Sequence, residues 1–285
     1  MGLILLAAVL MNNFNTYIRL MEEHDIYGDK VIFIDNCSFL TPTIVLPLVS
    51  FMYNYDKAIK DHVNPAVNEY LHKVLGIEKH TTTTFPFRWL DETTDNSEDL
   101  TKDIINIMES PQENVNALKY IFHEVITNVY DHSEFNKGFV IGQHYPKLNS
   151  TDYCFMDNGI SIPGSFKKSG ISFKNDCDAI IQAINGMSTK DNGEYIGRGT
   201  GLNSTINIVT QSNGNVLIAS GNCVVEITKR KVYAKKIPEE YIKGTLVSLR
   251  VPNKPLDVYG GLEYVEYKLP KRRVKPIKKK NINIK

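Results

Sequence analysis

The stretch His123–Ser133 reads HEVITNVYDHS and forms the end of a segment, 114–131, whose pattern predicts a helix. Within it, Glu124, Asn128 and His132 follow one another at intervals of four residues. Because a helix turns by about 100° per residue, each step of four advances the side chain by only about 40°, and the three line one helix face. The residues expected on the apolar face are Phe122, Val125, Ile126 and Val129.

This row of carboxylate, carboxamide and imidazole side chains suits metal-phosphate chemistry. Asn128 offers a neutral oxygen of the kind that Mg²⁺, a hard cation, binds in proteins. Glu124 can accept a proton from water or from a hydroxyl group. An ordinary amphipathic helix with a solvated polar face shows the same pattern, so this motif alone leaves both interpretations open.

A second motif, FMDNGI at 155–160, places Asp157 and Gly159 at the end of an apolar strand. A carboxylate there can accept a hydrogen bond from an exocyclic amine such as that of adenine, and a glycine lets a ring approach the backbone. The alternative is a plain Asp-Asn-Gly turn.

The third motif, GRGTGL at 197–202, precedes a predicted helix. Glycines before a helix N-terminus expose N–H groups, and the helix dipole favours anions, so the motif is a candidate phosphate site. It lacks Gly-Lys-Ser/Thr and follows no strand directly, which fits neither a P-loop nor a dinucleotide fingerprint. A flexible hinge is the alternative.

In this order, the three motifs resemble the N, G1 and G2 boxes of the GHKL superfamily, whose Bergerat-fold ATP-binding domain occurs in DNA gyrase, Hsp-type chaperones and sensor histidine kinases. Gly244 and Thr245 lead into a strand that closes on Pro252, and they resemble a further glycine box. The resemblance covers 114–252, about half of the chain.

The resemblance implies an α+β two-layer α/β sandwich that binds ATP and Mg²⁺. It assigns Mg²⁺ to Asn128, the adenine amine to Asp157, the base to the neighbourhood of Gly159 and the role of general base to Glu124. A lid is implied at 188–195, in which Lys190 can neutralise phosphate charge. The full implied nucleotide-binding set is Asn128, His132, Asp157, Gly159, Gly197, Arg198, Gly199, Thr200, Gly201, Leu202 and Thr245.

The closest branch is the anti-sigma-factor type of serine kinase, because no upstream segment resembles the histidine-bearing helices of a sensor kinase. The segment 31–48 distantly resembles a STAS domain, with Thr41-Pro42-Thr43 where STAS phosphoacceptors have Asp-Ser. The expected function is therefore that of an ATPase or a serine/threonine protein kinase. A non-catalytic ATP-gated interaction switch and a nucleic-acid-associated ATPase are the alternatives.

The 285 residues are 42% hydrophobic and 23% charged, which excludes collagenous and wholly disordered chains. We expect a small α/β domain over 1–90, a linker over the acidic stretch 91–110, the ATP-binding domain over 111–255 and a basic tail over 256–285. Strands are predicted over 138–145, 152–156, 215–219, 223–228 and 245–251, and further helices over 43–53, 176–184 and 201–211.

Residues 271–285 contain eight Lys and Arg and no acidic residue, whereas the whole chain has a formal net charge of +1. Such a tail predicts weak, salt-dependent contact with nucleic acid, or simply a solvated terminus.

The apolar run 3–11 is too short to span a membrane. The four cysteines lack C-x-x-C spacing, which predicts unpaired thiols and a cytoplasmic location. A protein partner or substrate is expected, and the sequence allows a homodimer.

Overall fold

A computed structural model describes most of the chain. The described residues are 14–15, 17–18, 31–32, 40–55, 58–59, 64–77, 82–90, 92–93, 96–108, 110–189, 201–237 and 243–270.

The central feature of the described residues is a seven-stranded sheet. A short parallel pair, β1 (Val31–Ile32) and β2 (Ala58–Ile59), lies apart from it. The seven strands are β3 (Thr84–Leu90), β4 (Gly138–Tyr145), β5 (Ser150–Asp157), β6 (Asn215–Ser220), β7 (Cys223–Thr228), β8 (Val232–Lys236) and β9 (Thr245–Pro252). Their order is β3-β4-β5-β9-β6-β7-β8, and every neighbouring pair is antiparallel.

Eight α-helices accompany the strands in the described part of the chain. They are α1 (Pro42–Tyr55), α2 (Pro65–Val74), α3 (Ser97–Ile107), α4 (Val115–His132), α5 (Ile162–Lys168), α6 (Asp176–Ile184), α7 (Gly201–Gln211) and α8 (Val258–Gly261). The fold is therefore of the α+β class, as predicted.

One face of the sheet carries α4, α6 and α7. Alternate residues of β5 point to this side, where Tyr153 and Phe155 pack against Phe122 of α4 with ring centroids 4.8 and 5.6 Å apart. The apolar face predicted for the helix supplies this contact, with Val125, Ile126 and Val129 all buried. The periodicity of the sequence thus placed the helix correctly.

The opposite face of the sheet is also covered. Helix α1 packs there against the other set of alternate residues, including Cys154 and Met156 of β5, and the Thr43 and Ser248 hydroxyls are 2.7 Å apart. The sheet therefore has helices on both sides, whereas a two-layer sandwich with a separate N-terminal domain was predicted. The reason is visible in β5, whose eight residues are all buried, as in strands covered on both faces.

The range 91–110, predicted to be a linker, contains α3. Its acidic residues are exposed, while Leu100, Ile104 and Ile105 are buried in the core next to α4. Strand β3, which precedes this range, pairs with β4 in the main sheet. Residues 97–100 of the predicted linker thus form the start of a helix that packs on the core, and the strand before the linker belongs to the main sheet.

Two covalent or ionic links join elements of the core. Asp152 of β5 and Arg250 of β9 form a two-bond ion pair, with N···O distances of 2.6 and 2.7 Å, and the Asp152 side chain is fully buried. Cys177 of α6 and Cys223 of β7 form a disulfide with a Cα–Cα distance of 5.2 Å.

The expectation of unpaired cysteines is wrong for this pair. The two residues are 46 positions apart in sequence and meet only because α6 packs on β7. Cys154 is free and buried.

In the described ranges, none of the helices has both the length and the apolar character needed to cross a membrane. The apolar run 3–11 and the basic residues 271–285 lie outside those ranges.

We expect Ile44→Ala to lower the free energy of unfolding by about 2 to 5 kcal/mol, because Ile44 is fully buried between α1 and the sheet. Urea denaturation followed by circular dichroism measures the effect. Ile77→Ala, at a largely exposed position, is the control and should change stability little. A separate early transition confined to the N-terminal region would contradict the packing of α1 on the common sheet.

Candidate functional site

A cavity of about 380 Å³ lies between α4, the ends of β5 and β9, and the start of α7. Seven residues singled out from the sequence line it together: Glu124, Asn128, His132, Asp157, Gly201, Leu202 and Thr245. Four others, Gly197, Arg198, Gly199 and Thr200, lie outside the described residues, as do Lys190 and the rest of the predicted lid beyond Thr189.

The polar row of α4 forms one wall of the cavity. The side-chain nitrogen of Asn128 donates a hydrogen bond to the backbone carbonyl of Glu124, at 2.7 Å. This bond orients the carboxamide and uses one of its two N–H donors, which leaves the oxygen as the atom of Asn128 that can bind a cation. His132, one turn further on, lies at the last residue of the helix.

Asp157 is the last residue of β5, and only 2% of its surface is exposed. Its Oδ1 accepts the N–H of Gly159 at 2.9 Å. Burial raises the pKa of its carboxyl from 3.8 to about 7, and hydrogen bonds from the backbone of Gly159 and Thr245 oppose that rise in part. A carboxyl of this kind, at the end of a buried strand and facing a cavity, is typical of a functional site.

Gly244, which precedes β9, allows the chain to pass close to this carboxyl. Its φ is +84°, and a Cβ at this position would lie 2.1 Å from the carbonyl oxygen of Asp157 and 2.4 Å from Oδ1. Glycine is required here both by the backbone conformation and by the contact.

Gly159 has a packing role. A Cβ on Gly159 would lie 2.0 Å from the carbonyl oxygen of Ser133, which also accepts the N–H of Ile160 at 2.6 Å. The missing side chain therefore lets the loop after β5 pack on the end of α4. Gly159 is not among the residues that line the cavity.

Glu124 lies at the opposite end of the row, beside Gly201, the first residue of α7. A Cβ on Gly201 would lie 1.8 Å from Glu124 Oε2, so the carboxylate directly contacts this glycine. Negative charge is favoured at a helix N-terminus. Burial raises the pKa of Glu124, while the neighbouring His123 acts to lower it.

A hydroxyl network that sequence reasoning missed extends from His132. Its Nδ1 is 2.9 Å from the Thr189 hydroxyl, which accepts a hydrogen bond from the Ser165 hydroxyl at 3.1 Å. Both hydroxyl residues line the cavity. Thr189 was included only as part of the predicted lid, and Ser165 belongs to the seven-residue α5, whose short length gave no periodic signal.

The described residues contain no group of three or more His, Cys, Asp and Glu side chains that is arranged to hold a metal ion.

No family model matches the chain, and no curated protein matches it either.

We expect the stability of the empty protein to fall as pH rises from about 4 to about 7, in part through Asp157. Because its pKa is higher in the folded state, the native protein binds more protons than the unfolded chain in this window, and stability is lost as the carboxyl ionises. In Asp157→Asn this contribution is absent. Thermal unfolding at several pH values should show the variant gaining relative to the wild type by up to about 4 kcal/mol across the window. A difference that does not depend on pH would contradict the raised pKa.

Proposed function

We propose that this chain is an Mg-ATP-binding protein of the GHKL type with a Bergerat-type fold, acting as an ATPase or a serine/threonine protein kinase of the anti-sigma-factor type. The observation that carries the proposal is that Asn128 and Asp157, from separate motifs, line one cavity together with Gly201 and Thr245. If the motifs matched by chance, there would be no reason for these residues to line the same cavity.

The Asp157 end of the cavity suits an adenine ring. Its walls include the apolar side chains of Val129, Phe166, Met187 and Val247. A flat ring with an exocyclic amine can lie between such walls while its amine donates to the buried carboxylate of Asp157.

The Gly201 end suits phosphate groups. The eleven-residue helix α7 begins there, and its N-terminal N–H groups and dipole favour an anion. From Glu124 to His132, α4 extends by eight residues, or about 12 Å along its axis, so the wall between the two ends is long enough for an extended nucleotide. Asn128 lies midway and can give one oxygen to an Mg²⁺ ion that the phosphates also bind.

Glu124 is the proposed general base. Burial raises its pKa, which makes the ionised carboxylate a better proton acceptor than a fully exposed one. In phosphoryl transfer most of the rate enhancement comes from positioning and from charge stabilisation, and proton removal from the attacking hydroxyl or water is a smaller part. Bound Mg²⁺ would supply charge neutralisation at the phosphates.

We expect the purified protein to bind a fluorescent ATP analogue in the presence of Mg²⁺, and Asp157→Ala to abolish that binding because the amine loses its acceptor. Fluorescence titration measures the dissociation constant. The control is Asp103→Ala, an exposed carboxylate on α3, which should leave affinity unchanged. Tight binding by Asp157→Ala would disprove the proposed adenine contact.

We expect Glu124→Gln to reduce kcat for ATP turnover by about 10² or more while the dissociation constant of ATP changes little, because only the proton acceptor is removed. Steady-state turnover and analogue titration give the two values. Glu113→Gln, at an exposed site before α4, is the matched control. Equal turnover by wild type and Glu124→Gln would favour a non-catalytic ATP-gated switch.

A further inference from the structure

The last described segment, residues 262–270, crosses the outer side of α7 and the end of α6. We call it the strap. It follows α8, whose last residue, Gly261, packs directly on the backbone of α7: a Cβ there would lie 2.6 Å from the Cα of Ile208. The strap comes after the last strand of the sheet and contributes no strand to it.

Two asparagines bind the strap backbone by paired hydrogen bonds. Asn203 of α7 donates to the carbonyl of Val265 at 2.8 Å and accepts its N–H at 3.2 Å. Asn185, just after α6, donates to the carbonyl of Tyr267 at 2.9 Å and accepts its N–H at 2.9 Å. Each carboxamide thus donates one hydrogen bond to a strap residue and accepts one from it, as the backbone of a neighbouring β-strand would. These bonds do not depend on the strap's side chains.

A third asparagine completes the row. Asn207, one turn after Asn203 on α7, donates to the carbonyl of Glu263 at 2.6 Å, and its Oδ1 accepts the hydroxyl of Tyr267. The same residue also donates to Asn203 Oδ1 at 3.0 Å. The three carboxamides therefore meet residues 263, 265 and 267, every second position of an extended chain.

The strap side chains alternate in the same register. Val265 and Leu269 pack on the core, and Tyr267 is only 9% exposed. Between them, Tyr264 is 56% exposed, and Glu266 and Lys268 are exposed and paired with each other. The groove thus takes an extended peptide with the pattern Val-x-Tyr-x-Leu.

The groove needs an occupant. With the strap in place, Asn203 and Asn207 are 1% and 0% exposed. Asn203 also donates to the carbonyl of Ile184 at 3.1 Å, so without a peptide it would keep that bond and its bond to Asn207 but lose both bonds to Val265. The loss of hydrogen-bond partners by an enclosed polar group is costly. The side-chain amides are thus arranged for a main chain that comes from outside the sheet and its helices.

We propose that the groove formed by α6 and α7 is a peptide-binding site, filled in this structure by residues 263–270, and that a partner peptide with the Val-x-Tyr-x-Leu pattern can replace them. Release of the strap breaks no strand pairing, so exchange leaves the sheet intact. The groove adjoins the cavity, because Met187, Ser188 and Thr189 line the cavity directly after Asn185. The site itself does not require nucleotide binding.

The test uses the full chain with a protease recognition sequence inserted after the exposed Leu262. The protein folds intact and is then cut, so that the strap is no longer covalently joined to α8. A fluorescent peptide of residues 263–270 is added, and its anisotropy is followed with cut and with intact protein. We expect binding to the cut protein and little to the intact one, whose own strap competes.

The peptide variants make the test specific. A peptide with Val265→Asp and Tyr267→Ala should not bind, whereas Lys268→Ala, which changes an outward-facing residue, should bind as the parent does. Asn203→Ala in the cut protein should weaken binding about tenfold, since two hydrogen bonds are lost. If the insertion prevents folding, the intact chain with Tyr267→Ala takes its place, because a weakened strap should admit the labelled peptide.

Equal anisotropy with cut and intact protein, or a cut fragment that excess peptide cannot displace, would overturn the proposal. The measurement contains no nucleotide, so it keeps its meaning even if the protein does not bind ATP. Conversely, ATP binding with no peptide exchange would leave the proposed function standing and remove only the peptide site.

Discussion

The burial of β5 on both faces is the constraint on which the rest of the structure depends. All eight of its residues pair with β4 on one side, the first seven pair with β9 on the other, and alternate side chains enter two different cores. Both cores contain side chains of this strand, so the register that places those side chains also determines where the strand ends. The carboxyl of Asp157 is thereby held at the rim of the cavity, with the chain at Gly244 passing directly against it.

That position explains the electrostatics of the candidate site. A buried carboxyl is costly to ionise, and here burial outweighs the backbone hydrogen bonds that the carboxyl accepts, which is why its pKa rises to about 7. The free energy lost in this way is recoverable if a ligand donates hydrogen bonds to the charged form. Burial also raises the pKa of Glu124, which is half-buried against the start of α7.

The sequence predicted the elements with strong periodicity well. The helix expected over 114–131 spans Val115–His132, and the strand expected over 223–228 has those bounds. Glu124, Asn128, Asp157 and Gly201 line one cavity, and their meeting was expected from the resemblance of the three motifs to the GHKL boxes. In contrast, the position of α1, the pairing of β3 with β4 and the Cys177–Cys223 disulfide depend on contacts between distant residues, which local patterns do not encode. The strap was missed because side-chain amides that bind a main chain leave no periodic signal in sequence.

The sheet order has a consequence for synthesis of the protein. Strand β9 lies at the centre of the sheet, between β5 and β6, yet it is the last of the seven strands in chain order. Until it emerges from the ribosome, the block β3-β4-β5 and the meander β6-β7-β8 each expose an unpaired apolar edge of the kind that recruits other chains. A nascent polypeptide that stalls before residue 245 is therefore open to aggregation, and insertion of one late strand closes both edges at once.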